Sequence, residues 1–115
     1  MSDQIEIQIP KTKVNEAESF IATAYFRTRA TGAALAPTTI KYRVDCLSTR
    51  TLLKDWTSVS AAASVELTMT SAINAIQEDA KDWERKQLTV KADDGLSTQT
   101  MGVKRWIVSN VFGYE

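Results

Sequence analysis

One stretch limits the possible folds of this chain more than any other. From Thr39 to Cys46 the residues read TIKYRVDC. Ile40, Tyr42, Val44 and Cys46 fall on one side of an extended backbone, and Lys41, Arg43 and Asp45 fall on the other. A helix would scatter the four apolar residues around its circumference. Pro37 stops any helix from running in, and Ser48 to Thr51 reads as a turn out. The stretch is predicted to be a central strand of an antiparallel sheet with one face in the core.

The same alternation recurs along the chain. Ile5, Ile7 and Ile9 alternate with Glu6 and Gln8 until Pro10, which predicts a first, edge strand over Gln4 to Ile9. Lys11 to Glu18 reads as a polar connection. From Ser19 to Ala30, Phe20, Ala22, Ala24 and Phe26 share a face and Ile21, Thr23, Tyr25 and Arg27 the other, predicting a long second strand half buried on its second face, and Thr31 to Pro37 is a small-residue loop. Leu52 to Thr57 is predicted to be a short strand whose Trp56 caps one end of the core, and Ser58 to Ala63 a further connection. Ser64 to Thr70 turns Val65, Leu67 and Met69 inward. Ile73, Ile76 and Ala80 have helical spacing, so a short helical crossover is expected near 71–83. Lys86 to Ala92 returns to a strand with Leu88, Val90 and Ala92 inward, and Asp93-Asp94-Gly95 signals a hairpin. In the last strand, from Leu96 to about Val108, Met101 and Val103 share one face while Trp106 and Val108 share the other. A bulge at Gly102 or Lys104-Arg105 is therefore expected to switch faces.

Seven short strands, each with one apolar face to hide, predict an all-β antiparallel sandwich, with a closed barrel as the alternative. A length of 115 residues leaves room for one core, and the chain is read as a single domain over 1–115 with short terminal arms. The first residues lack a basic segment followed by an apolar run, and no uninterrupted apolar run could cross a bilayer, so a chain without a signal peptide, made and kept in the cytoplasm, is expected.

The run TTIKYRVDC followed by Trp56, then SVELTMT, then KQLTVKADDG, resembles the C, C′, E and F strands of fibronectin type III and, more generally, immunoglobulin-like domains. The likeness covers most of the chain from Ser19 onward. It implies an immunoglobulin-like sandwich, with one departure: where the sixth strand of such modules carries a tyrosine that ties the preceding corner, the matching place here holds Lys86. A different tie is implied, with Trp83 as the candidate. The chain also resembles small immunoglobulin-like proteins encoded among bacteriophage structural genes, through the run YFRTRATGAALAPTTIKYRVDCLSTRTLLKDWT.

Chemistry is sparse. The chain has no histidine, which removes the commonest general base and zinc ligand, and its one cysteine, Cys46, reads as a small core residue. Its four glycines, at 32, 95, 102 and 113, form no phosphate loop. Glu78, Asp79, Asp82 and Glu84, with Asp93 and Asp94 further on, are the one candidate calcium or carboxylate cluster; the first four read as a solvated face, because a calcium loop needs a glycine turn that their segment lacks, and Asp93-Asp94-Gly95 reads as a turn. Fourteen basic and fourteen acidic residues balance, with acids interleaved among Arg27, Arg29, Arg43 and Arg50. No nucleic-acid or membrane partner is expected.

No enzyme, cofactor or metal is therefore expected. The resemblance implies a bacteriophage virion protein, assembled in the host cytoplasm, acting as a capsid decoration or head-to-tail (neck) accessory. Its partners would be other virion proteins, met in many copies, with a homo-oligomer as a further option. The candidate partner-binding residues are Phe112 and Tyr114, apolar anchors beyond the last strand, and Ile5 and Ile7, which supply a strand edge. The alternative function is an adhesion or glycan-binding module that uses Trp56 or Trp106 as a platform.

Overall fold

The computed structural model describes residues 3–16, 18–28, 37–75, 83–93 and 99–109. They form eight strands: β1 (Asp3–Gln8), β2 (Lys13–Asn15), β3 (Phe20–Thr28), β4 (Thr39–Cys46), β5 (Thr51–Val59), β6 (Ser64–Met69), β7 (Trp83–Asp93) and β8 (Gln99–Ser109). Two sheets result, one of three strands in the order β1-β3-β6 and one of five in the order β2-β8-β7-β4-β5. All pairings are antiparallel except that of β2 with β8. The arrangement is a β-sandwich.

β4 sits between β5 and β7, and its Ile40, Tyr42, Val44 and Cys46 are all buried, as their spacing requires. Ala22, Ala24 and Phe26 of β3 face them from the other sheet, together with Leu67 and Met69 of β6. Leu88, Val90, Trp106 and Val108 complete the interior. Each large apolar side chain withdrawn from water here contributes roughly 1.5–3 kcal/mol before entropy is counted. Phe20 meets Trp106 edge to face, with ring centroids 5.2 Å apart. The two sheets come closest where β1 crosses β8. A Cβ placed on Gly102 would lie 2.8 Å from Ile5 Cγ2, so Ile5 occupies the space that a side chain on Gly102 would need.

Five local expectations need correction. The connection after Pro10 contains β2, whose Val14 is 1 % exposed; three residues are too few for alternation to be read. β5 runs to Val59 rather than Thr57. Between Tyr42 and Asp45 of β4 it passes from Thr57 to Leu52 and so carries extra residues, a bulge that places Trp56 on the outer face instead of over the core end. The crossover after β6 is a hydrogen-bonded turn over 71–75, with two helix-like bonds, from Asn74 N–H to Thr70 O (3.1 Å) and from Ala75 N–H to Ala72 O (3.3 Å). No helix forms among the described residues, and 76–82 lie outside them. β7 begins at Trp83 and turns Glu84 and Lys86 inward in phase with Leu88. β8 keeps one register from Gln99 to Ser109, so nothing switches faces. Trp106 and Val108 are inside, and Met101 and Val103 are apolar side chains left outside. The Asp93-Asp94-Gly95 hairpin signal lies mostly outside the described residues, but the strands flanking it pair as a hairpin would, Asp93 opposite Gln99.

Candidate interaction surface

The outer face of the five-stranded sheet is built from the odd-numbered residues of β4, β7 and β8. In one row across the strands lie Met101, Lys91 and Lys41; in the next lie Val103, Thr89 and Arg43. Trp56, lifted outward by the β5 bulge, packs beside both rows: the Lys91 ammonium stands 4.4 Å from the centre of its ring and the Arg43 guanidinium 5.8 Å. Arg43 is also held by Asp45 of the same strand through two hydrogen bonds, donated from Nε (3.0 Å) and Nη2 (2.8 Å). The hydrogen-bonded Asp45 carboxylate holds the guanidinium above its ordinary value, against the opposing effect of desolvation. Thr89 is buried among these long side chains although it points away from the core. Lys41 and Lys91 are directly opposite one another, and among the described residues neither forms an ion pair. Met101 and Val103 are 57 % and 49 % exposed.

A groove of about 660 Å³ opens on another side, between β5 and β6, which end their respective sheets and do not pair with each other. Leu53, Val59, Leu67 and Ile73 give it an apolar floor. The charged residues lining it are Lys54 and Glu66. One cation and one carboxylate make no acid–base carboxylate pair.

A third polar group is sealed inside. The Lys86 ammonium donates to Glu84 Oε1 (3.0 Å) and to the carbonyl of Ala75 (2.9 Å), and the Cys46 thiol donates to the same Glu84 oxygen (3.5 Å). Both charged side chains are fully buried. Next to them the Trp106 indole donates to Asn74 Oδ1 (2.8 Å), and the Asn74 amide donates to the Glu18 carbonyl. Lys86 thereby ties the 71–75 turn to β7, and Asn74 ties it to β8 and to the start of β3. Having no access to solvent, these groups hold the elements around the 71–75 turn together. Trp83, the expected tie, is half exposed. Sequence reasoning missed the buried pair because charge outweighed phase: Glu84 and Lys86 continue the inward positions of Leu88 and Val90.

Of the sequence-predicted contact residues, the two that lie within the described residues, Ile5 and Ile7, are both on β1. Ile7 is buried, and Ile5 packs against the core over Gly102. β1 pairs with β3 alone among the described residues, so that edge can offer its backbone but not those two side chains. Phe112 and Tyr114 lie outside the described residues, as do Glu78, Asp79, Asp82 and Asp94. Glu84 belongs to the interior rather than to a solvated acidic face. Trp106 is 1 % exposed and cannot serve as a platform, whereas Trp56 is partly exposed. Among the described residues no group of three or more His, Cys, Asp or Glu side chains could hold a metal ion, and no helix is long and apolar enough to cross a membrane.

No family model matches the chain, and no curated protein matches it. Among solved structures it is similar to a β-glucosidase from Listeria innocua in complex with glucose, at a TM-score of 0.49 and 13 % identity. The match covers 94 % of this chain and 16 % of that one. Nothing about activity follows from a likeness at that level.

Proposed function

We propose that the sandwich is immunoglobulin-like in the fibronectin type III manner, and that the chain is a non-enzymatic bacteriophage virion protein. In this reading it is a capsid decoration or neck accessory that binds repeated sites in many copies. The strand order supports the first part: with the short β2 set aside beyond β8, β1-β3-β6 against β8-β7-β4-β5 corresponds to strands A, B and E against G, F, C and C′ of such modules. The observation that carries the second part is the placement of exposed apolar side chains. Ile21 stands on the outer face of the three-stranded sheet and Met101 and Val103 on the outer face of the other, each about half exposed or more. Contact surfaces on two opposite sides suit a part that bridges neighbours in a lattice, where modest contacts add up through multiplicity. The test is co-sedimentation of the purified protein with particles assembled from the capsid, neck and tail proteins encoded beside its gene. Saturation at a fixed ratio to lattice sites is expected, and the ratio separates shell decoration from a neck ring. No binding to any of these assemblies, or no such genes nearby, overturns the reading.

Trp56 favours a second reading, an adhesion or glycan-binding module, because a partly exposed indole on the outer side of a sheet is a stacking platform. A glycan array on which specific binding disappears with Trp56→Ala would favour it over the first.

A further inference from the structure

We propose that the outer face of the five-stranded sheet, centred on Lys41 and Lys91, receives an acidic, partly apolar segment of a protein partner. The inference rests on reading the chain as a protein-binding part and names the chemistry of what it binds.

Two lysines directly opposite each other on an antiparallel pair repel, and a fold ordinarily places opposite charges there. Arg43, one row away, has Asp45 to neutralise it; Lys41 and Lys91 form no ion pair of that kind among the described residues. Lys91 turns over Trp56, which fixes one ammonium in place, and a small cleft lined by Thr39, Lys41, Lys91 and Asp93 lies between the two strands. Asp93, diagonal to Lys41 on the same face, supplies one carboxylate against the two ammonium groups, and a partner's carboxylate seated there would balance the second. Beside it, Met101 and Val103 expose apolar surface that a hydrophobic side chain next to that carboxylate would cover. Cations in the middle and apolar side chains at one flank together match a segment in which acidic and apolar residues alternate, as they do along an extended strand.

The experiment is a titration of the isotopically labelled protein, followed by amide NMR, with a short capped peptide alternating glutamate and leucine. A lysine–leucine peptide, sodium sulfate and polygalacturonate at matched ionic strength serve as comparisons. The glutamate peptide is expected to shift the amides of Lys41, Lys91, Met101 and Val103. Lys41→Glu with Lys91→Glu should weaken it at least about tenfold, with Lys41→Met and Lys91→Met intermediate. Shifts centred on the β5–β6 groove, unchanged affinity in the charge-reversed variant, equal shifts from sulfate alone, or binding of polygalacturonate without the peptide would each overturn the inference. Co-sedimentation with virion assemblies keeps the two proposals apart. If wild-type protein binds and the charge-reversed variant does not, the inference is supported. If both bind equally, the inference fails and the virion role stands. If wild-type protein binds the peptide at this face but no assembly, the virion role fails and the inference stands.

Discussion

Glu84 and Lys86 stand two residues apart on the inward side of β7 and have given up water entirely. Desolvating two charges costs several kcal/mol each, and their attraction offsets that only while both are present. Lys86→Met is therefore expected to cost about 3–5 kcal/mol in urea unfolding, because Glu84 loses its ammonium in the interior. Adding Glu84→Met should recover part of the loss, with a coupling of about 0.5–3 kcal/mol in the double-mutant cycle. At the surface, hydrogen bonds from the Lys11 ammonium and the Asn15 N–H hold the Glu18 carboxyl below the usual carboxylate value. The unfolded chain then binds a proton at higher pH than the folded one. The small stabilisation is complete above the ordinary carboxylate pKa and is lost as pH falls through the depressed value. Lys11→Met should move the Glu18 titration upward toward the usual range, read by carboxyl-carbon NMR.

The elements depend on two contacts that no local pattern specifies. The 71–75 turn is held by Asn74, whose side chain accepts from Trp106 and donates to the Glu18 carbonyl. Asn74→Ala leaves a buried indole N–H without an acceptor, and a loss of about 1–3 kcal/mol is expected, together with faster amide exchange over the turn than elsewhere. The approach of β1 to β8 depends on Gly102. In Gly102→Val the new Cβ would sit 2.8 Å from Ile5 Cγ2 and 3.0 Å from Ile5 Cβ, so the Ile5 side chain or one of the two strands must shift. Overpacking of this kind costs about 1–3 kcal/mol, and Ile5→Ala in the same chain should recover part of it by clearing the space.

At the scale of the whole molecule, side chains from both sheets share one buried cluster, so neither sheet has an interior of its own. Far-UV circular dichroism and tryptophan fluorescence are accordingly expected to report a single, coincident unfolding transition; separated midpoints would contradict a shared core. Much of this was legible in the order of residues. The inward sets of β1, β3, β4 and β6, and the upper half of β7, follow from alternation, because a strand with one face in the core and one in water must be apolar at every second position. β8 was misread for the same reason. Its outward Met101 and Val103 are apolar, and its inward Gly102 carries no side chain because Ile5, remote in sequence, fills the space. Alternation therefore determined that the chain forms a layered β-structure and which residues line most of it. Only the tertiary structure decided which strands are neighbours, that Glu84 and Lys86 are sealed inside, and that Lys41 and Lys91 stand face to face outside. Those facts depend on partners distant along the chain, which no short window of sequence contains.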